Sequence, residues 1–313
     1  MKNIDNVIVW HKGALFWTVL GVLGFSGTLP ATRLAAPHFG ALQVGLGRAL
    51  VAASCGLVLL ILTKSPWPSR AQWRGLVAVS LGVVIGFPWL SAWALKYTTA
   101  GKAGVIVALT PLFTAVLASW RERVWPDLRF WSASLFGTGC VVLYLISAAS
   151  DPAIDQGAIA DLPLSWLPEL ALVLAALCAA FGYTEGARLT RQLGGLQVIS
   201  WALLAAVPVI VPLLLSQDTL AVAPPLSAWL AFSYVSFVSM FFAFYFWYGG
   251  LSRAGVVRAS QVQLLQPLLT VLWAALLLDE KLSAGLLLAC LGVLGAIFVA
   301  VRKANPVHGS RPS

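Results

Sequence analysis

Ten long apolar runs follow one another along this chain, near 13–32, 42–63, 73–95, 100–119, 130–149, 166–187, 195–216, 227–250, 257–278 and 283–301, each ended by charged residues or by Pro and Gly. A transmembrane helix needs about 20 mostly apolar residues, and every run is about that long. Lipid offers no partner to backbone N–H and C=O groups, so such runs predict α-helices, whose backbone bonds stay within the segment. Composition agrees: 60% of the 313 residues are hydrophobic and 10% charged, with a mean hydropathy of +0.89. Soluble domains carry about 25% charge, so a water-soluble fold is excluded. Ten helices leave too little chain for an extramembrane domain of ordinary size.

The net charge of +9 would suggest nucleic acid in a soluble protein; here its placement argues otherwise. Alternate loops are counted for Lys and Arg, because the basic side of a membrane protein faces the cytoplasm. The N-terminal side collects fifteen of the twenty; the other side holds Arg33, Lys96, Lys102 and Lys281, and Arg48 lies inside a span. Both termini are therefore expected in the cytoplasm. The longest outer loop carries Asp151, Asp155 and Asp161 and no basic residue, in agreement. Lys2 and Lys12 before the first run resemble a secretion signal, but the run is longer than a signal core and is taken as the first span. Cys55, Cys140, Cys178 and Cys290 sit in apolar runs without metal-binding spacing and are read as small packing residues.

The halves of the chain repeat. Gly40-Ala41-Leu42-Gln43-Val44 recurs as Gly194-Gly195-Leu196-Gln197-Val198 at an offset of 154, and Arg33-Leu34 as Arg188-Leu189 at 155. Lys102/Arg258, Ala103/Ala259, Pro111/Pro267, Thr114/Thr270 and Gly139/Gly295 share an offset of 156. Leu and Ala coincide by chance in hydrophobic sequence; Gln, Pro and basic residues at a nearly constant offset do not. Five spans per half is an odd number, so the second half enters the membrane the opposite way round, an inverted repeat. The expected division is 1–150 for the first five-helix repeat, 151–164 for an outer acidic linker, 165–302 for the second repeat and 303–313 for a cytoplasmic tail.

With Pro30-Ala31-Thr32-Arg33-Leu34-Ala35, Gly47-Arg48-Ala49-Leu50, Thr110-Pro111-Leu112-Phe113, Gln266-Pro267-Leu268-Leu269 and the turn Asp279-Glu280-Lys281-Leu282, the chain resembles the drug/metabolite transporter superfamily, in its EamA-type ten-helix branch. The resemblance implies an all-α integral membrane protein of a bacterial inner membrane that exports or exchanges amino acids, related metabolites or drugs through a cavity between its repeats. Pro111 and Glu122 stand eleven residues apart, Pro267 and Glu280 thirteen. The turn after the fourth span thus departs from its counterpart, and no function is carried onto it.

Ionisable groups inside a membrane are expensive and are functional candidates by default. Arg48, about six residues into the second span, either is structural, snorkelling to the outer surface or binding backbone carbonyls, or presents its guanidinium fork to a substrate carboxylate. Glu185 either pairs with Arg188 on its own helix face or faces the cavity as a titrating or gating group. No Asp or Glu occupies the middle of a span, which gives proton coupling little support. In the ninth span Ser260, Gln263 and Gln266 share a face before Pro267, where lipid could not satisfy amides. Their first-half counterparts are Gly104, Val107 and Thr110, and Pro111 matches Pro267; the amides either bond neighbouring helices or line a substrate pathway, which the asymmetry favours, and the two prolines are candidate gating positions. Aromatic stripes, Trp89 with Trp93 in the third span and Phe241, Tyr245, Tyr248 and Ser252 in the eighth, either pack or line that pathway. Trp17, Gly21, Gly24 and Thr28 form a small-residue face on the first span.

The expected activity is secondary transport by alternating access, with a small-molecule substrate and the lipid bilayer as partners and no nucleic acid. A passive channel is the alternative, although no run suggests a selectivity filter. An intramembrane enzyme is least supported: no His-Glu-x-x-His motif exists and His11, His38 and His308 lie outside the spans or at their edge. No phosphate-binding glycine loop, metal set or cofactor is expected.

Overall fold

The computed structural model describes residues 12–122, 164–217, 223–254 and 265–301 continuously, with scattered positions at 128–144 and at 262–263. The described residues are helical throughout apart from turns and contain no strand. Seven helical segments are long and apolar enough to cross a membrane: Leu15–Phe39, Gln43–Leu62, Arg70–Ala94, Ala100–Arg121, Leu167–Leu193, Gly195–Leu215 and Leu226–Arg253. Two shorter apolar helices, Leu265–Leu278 and Ala284–Ala296, follow. These occupy the positions of nine of the ten runs, and we number them as the first to fourth and sixth to tenth spans. The fifth run, the acidic linker and the C-terminal tail fall largely or wholly outside the described residues.

The first span reaches farther than its apolar run, through Arg33 to Phe39, because the Arg33 guanidinium folds back onto the Leu95 carbonyl. Gly40 ends it with φ 86°, and Gly194 ends the sixth span with φ 88°. Both carry ψ 149°. A residue with a side chain is strained at such a φ, and in both places the following Gln folds back so closely that a Cβ on the glycine would clash with its amide oxygen. The repeated Gly-x-Leu-Gln-Val motif is therefore one local turn used twice.

Several spans are interrupted along their length. The first breaks at Gly27 into Lys12–Ser26 and Thr28–Phe39. Three spans contain π-helical segments, at Gln43–Gly47, Ser80–Gly86 and Tyr234–Phe242. Backbone groups freed by a break cannot turn to water inside a membrane, so side chains answer them. The Tyr234 hydroxyl donates to the Gly24 carbonyl at 3.0 Å. Thr270 donates to the Ser26 carbonyl at 2.8 Å. In the fourth span Pro111 lacks the N–H that would meet the Val107 carbonyl, and the Thr110 hydroxyl takes its place at 2.7 Å.

Small residues set the closest approaches. A Cβ on Gly21 would stand 3.0 Å from the Trp247 backbone, and one on Gly24 2.7 Å from the Ala243 side chain, so the small-residue face of the first span packs on the eighth. The sixth packs on the third in the same way, with Gly182 against Val83 and Gly82 against Cys178 and Gly182. Thr28 and Ser239 share a hydrogen bond of 2.7 Å; their counterparts, offset by 154 and 156, are Gly182 and Val83, which also touch. Gly56 meets Ser200 where the second and seventh spans cross, and Gly104 meets Thr270 where the fourth and ninth cross. Equivalent contacts thus recur between the halves.

Ion pairs lie at the two ends of the bundle. Arg121 and Arg188 meet Glu185 at one end, beside a contact between Gln72 and Gln192. At the opposite end Lys102 pairs with Glu169 at 2.6 Å. Two apolar cores fill the space between, one reaching the arginine-rich end through Leu76 and Leu189, the other built around 100–109 with Leu172, Val271 and Val293.

Candidate functional site

Two cavities lie where these cores meet. The smaller, about 310 Å³ of empty space with its mouth included, separates the fourth and ninth spans and is lined by Gly104, Val107, Pro111, Gln263, Pro267 and Thr270 among others. The larger, about 400 Å³ on the same basis, is lined by Arg48, Tyr183, Phe25, Phe244, Ser239 and others from the first, second, third, sixth, eighth and ninth spans. Gln266 and Leu29 line both.

Arg48 is carried into the larger cavity by its backbone. The π-helical turn Gln43–Gly47 immediately precedes it and shifts the register of the second span. Gly45 lets that turn lie directly against Pro88 and Trp89. Arg48 ends 1% exposed, with Nε and Nη1 lacking any hydrogen-bond partner among the described residues. At this burial the side chain does not reach the outer surface by snorkelling.

Gln263 is 4% exposed. Its amide nitrogen donates to the Gln266 oxygen at 3.5 Å. Its own Oε1 has no partner. The two glutamines therefore form a short polar seam running from the smaller cavity to the larger. Ser260 lies outside the described residues. Pro267 and Pro111 both line the smaller cavity.

Other candidates are placed elsewhere. Thr110 is buried, lines neither cavity, and spends its hydroxyl on Val107. Tyr245 packs edge-on against Trp17 at 4.9 Å. Tyr248 is fully buried, its hydroxyl donating to Gly182 at 3.3 Å and its ring filling the space over Gly186. Trp89 is 46% exposed on the outer surface of the bundle, and Trp93 pairs with Tyr97 at 5.2 Å. Glu185 lines neither cavity; it is 5% exposed and held by Arg121 on Oε1 and by Arg188 on Oε2, the latter at 3.2 Å.

The aromatic wall of the larger cavity is made instead by Phe25, Tyr183 and Phe244, with Phe25 and Phe244 in T-shaped contact at 4.8 Å and Tyr183 5.6 Å from Trp247. Met240, Phe244 and Trp247 form the inward stripe of the eighth span, one residue out of step with the stripe at 241, 245, 248 and 252. One residue is about 100° of helix, and both stripes are aromatic, so periodicity alone could not choose between them. Tyr183 left a usable signal: it is a polar aromatic two residues from Glu185 in an otherwise Ala-rich helix. Glu280 was also passed over. Its carboxylate accepts from the Ala100 and Gly101 N–H groups at 2.7 and 2.8 Å, an acidic cap on the positive end of the fourth span. Among the described residues no group of His, Cys, Asp and Glu is arranged to hold a metal.

The sequence matches the model of the EamA-like transporter family twice, at residues 12–146 and 166–302. The chain is 37% identical over 290 residues to a protein of Bacillus subtilis (strain 168) named as the uncharacterized transporter YdeK, covering 91% of this chain and 96% of that one. It is 30% identical over 302 residues to the uncharacterized protein PA1977 of Pseudomonas aeruginosa, with 91% and 93% covered. A solved structure titled only as the crystal structure of a protein superposes with a TM-score of 0.64 at 20% identity, over 92% of this chain and 96% of that one, which shows a shared fold.

Proposed function

Because the chain belongs to the EamA-like transporter family and is an integral membrane protein, we propose that it is a secondary transporter in a bacterial inner membrane, exporting or exchanging small organic solutes such as amino acids, related metabolites or drugs. Two inverted five-helix repeats rock about a central site in alternating access. The observation that carries this reading is Arg48, a buried cation whose Nε and Nη1 have no hydrogen-bond partner among the described residues, on a cavity it shares with Gln266. A cation left unpaired in a membrane interior is destabilising, so its presence points to a function that retains it. Interruptions in the first and fourth spans supply the discontinuous helices on which such sites are built, and contacts between the halves close both ends.

Gln266 gives the direct test, because it reaches both cavities and, among the described residues, its recorded hydrogen bond is the long one accepted from Gln263 on its own helix rather than one to a neighbouring span. Gln266→Leu is expected to lower transport in proteoliposomes at least tenfold while the melting temperature in detergent moves by no more than about 2 °C, as for a substitution of about 0.5 kcal/mol. A melting temperature that falls in step with transport would assign Gln266 to helix packing instead. Orientation is tested separately: with both termini cytoplasmic, a cysteine placed at Asp155 is expected to react with a membrane-impermeant thiol reagent in intact cells. Labelling only after lysis would invert the topology.

A further inference from the structure

We propose that the Arg48 cavity selects organic monoanions, solutes with one carboxylate on an apolar or aromatic body, over zwitterionic amino acids and organic cations. The proposal rests on the transporter reading above and names its substrate class. Its basis is charge balance. Arg48 brings one positive charge and up to five donors into the cavity, and two of its three nitrogens have no partner among the described residues.

No acidic residue lines either cavity among the described residues. The described acids nearest the spans are already engaged: Glu185 with Arg121 and Arg188, Glu169 with Lys102, Glu280 with two backbone N–H groups. Among the described residues nothing near the site neutralises Arg48, and nothing negative awaits an ammonium. The remaining polar lining is neutral and partly self-satisfied, with Thr28 bonded to Ser239 at 2.7 Å and Gln266 accepting from Gln263. Phe25, Phe244, Tyr183 and Met240 supply an apolar wall.

A carboxylate entering this space makes charge-assisted bonds to the guanidinium fork and leaves the site neutral. An amino acid makes the same bonds but must strip water from its ammonium with only amide, hydroxyl and ring faces in exchange, and the site keeps a net charge. An amine meets Arg48 as a like charge.

The test compares matched ligands on the purified full-length protein in nanodiscs, by intrinsic tryptophan fluorescence and by melting temperature. The panel holds 3-phenylpropionate, phenylalanine, 2-phenylethylamine and 3-phenylpropanol, with hexanoate, norleucine and hexylamine as an aliphatic set. At least one carboxylate is expected to bind ten or more times tighter than its amino acid and its alcohol, and the amines to give no shift. Arg48→Gln should bring the carboxylate-to-alcohol ratio to about one, and Arg48→Lys should keep part of it. An amino acid binding as tightly as its carboxylate, binding of an amine, failure of every carboxylate, or a preference that survives in Arg48→Gln each overturns the proposal. Flux in proteoliposomes separates it from the reading beneath it. A carboxylate bound through Arg48 but never moved would sink the transporter reading alone; an amino acid moved with Arg48 dispensable would sink the monoanion site alone.

Discussion

Arg48→Met is expected to abolish transport while leaving the protein as stable as before or more so. Replacing buried ion pairs by apolar side chains of similar volume is often neutral or stabilising by about 1–4 kcal/mol, and a single charge without good compensation has still less to lose. Arg48 lacks it among the described residues: it is 1% exposed and Nε and Nη1 have no partner. The expected melting temperature in detergent is therefore unchanged or several degrees higher, at about 2–4 °C per kcal/mol for a domain of about 150–250 residues. Transport should fall to background, since the only charge among the described residues lining the cavity is gone. The pattern is that of a functional residue held against the stability of the fold. A melting temperature several degrees lower in Arg48→Met would mean that the guanidinium holds the bundle together, and the site would have to be sought along the glutamine seam instead.

The helices, their order and the repeat were legible because each is written in many residues at once. The apolar runs mark the spans, and two copies of one motif mark two turns with φ of 86° and 88°. The polar residues worth watching were legible too, since charge and amides inside apolar runs are rare: Arg48 and Gln266, far apart in the chain, line one cavity. What escaped depends on helix rotation. The π-helical segments at Gln43–Gly47, Ser80–Gly86 and Tyr234–Phe242 shift the register of whatever follows, and no residue type announces them. Hence Phe244 rather than Tyr245 faces the cavity, and Phe87 and Pro88 line it where Trp89 points outward. Pairings across the halves escaped for another reason. Arg121 reads as one more basic residue on a basic side, and only the packing of the fourth span against the sixth brings it to Glu185.

That pairing leads to the second large effect. Glu185 is 5% exposed, whereas the side chains of Arg121 and Arg188 are 46% and 43% exposed. The buried partner is the carboxylate, so the consequence of breaking the cluster depends on which member is removed. Arg121→Gln with Arg188→Gln strands a buried negative charge, which in a fully buried pair costs about 3–5 kcal/mol. Half-exposed arginines contribute less, through solvent screening, so about 2–3 kcal/mol is expected here. Adding Glu185→Gln removes the stranded charge and should recover most of that loss. The double variant is thus expected to melt well below wild type and the triple variant close to it. The ends of this cluster lie on opposite halves of the chain, Arg121 on one and Glu185 on the other, so in the alternating-access reading it must open once per cycle. The triple variant, stable but without the ion pair, then separates closure from folding: transport with altered rate and restored stability fits a closing contact at the arginine-rich end. A triple variant no more stable than the double would show that the cluster is not held by charge, and would remove it from the mechanism.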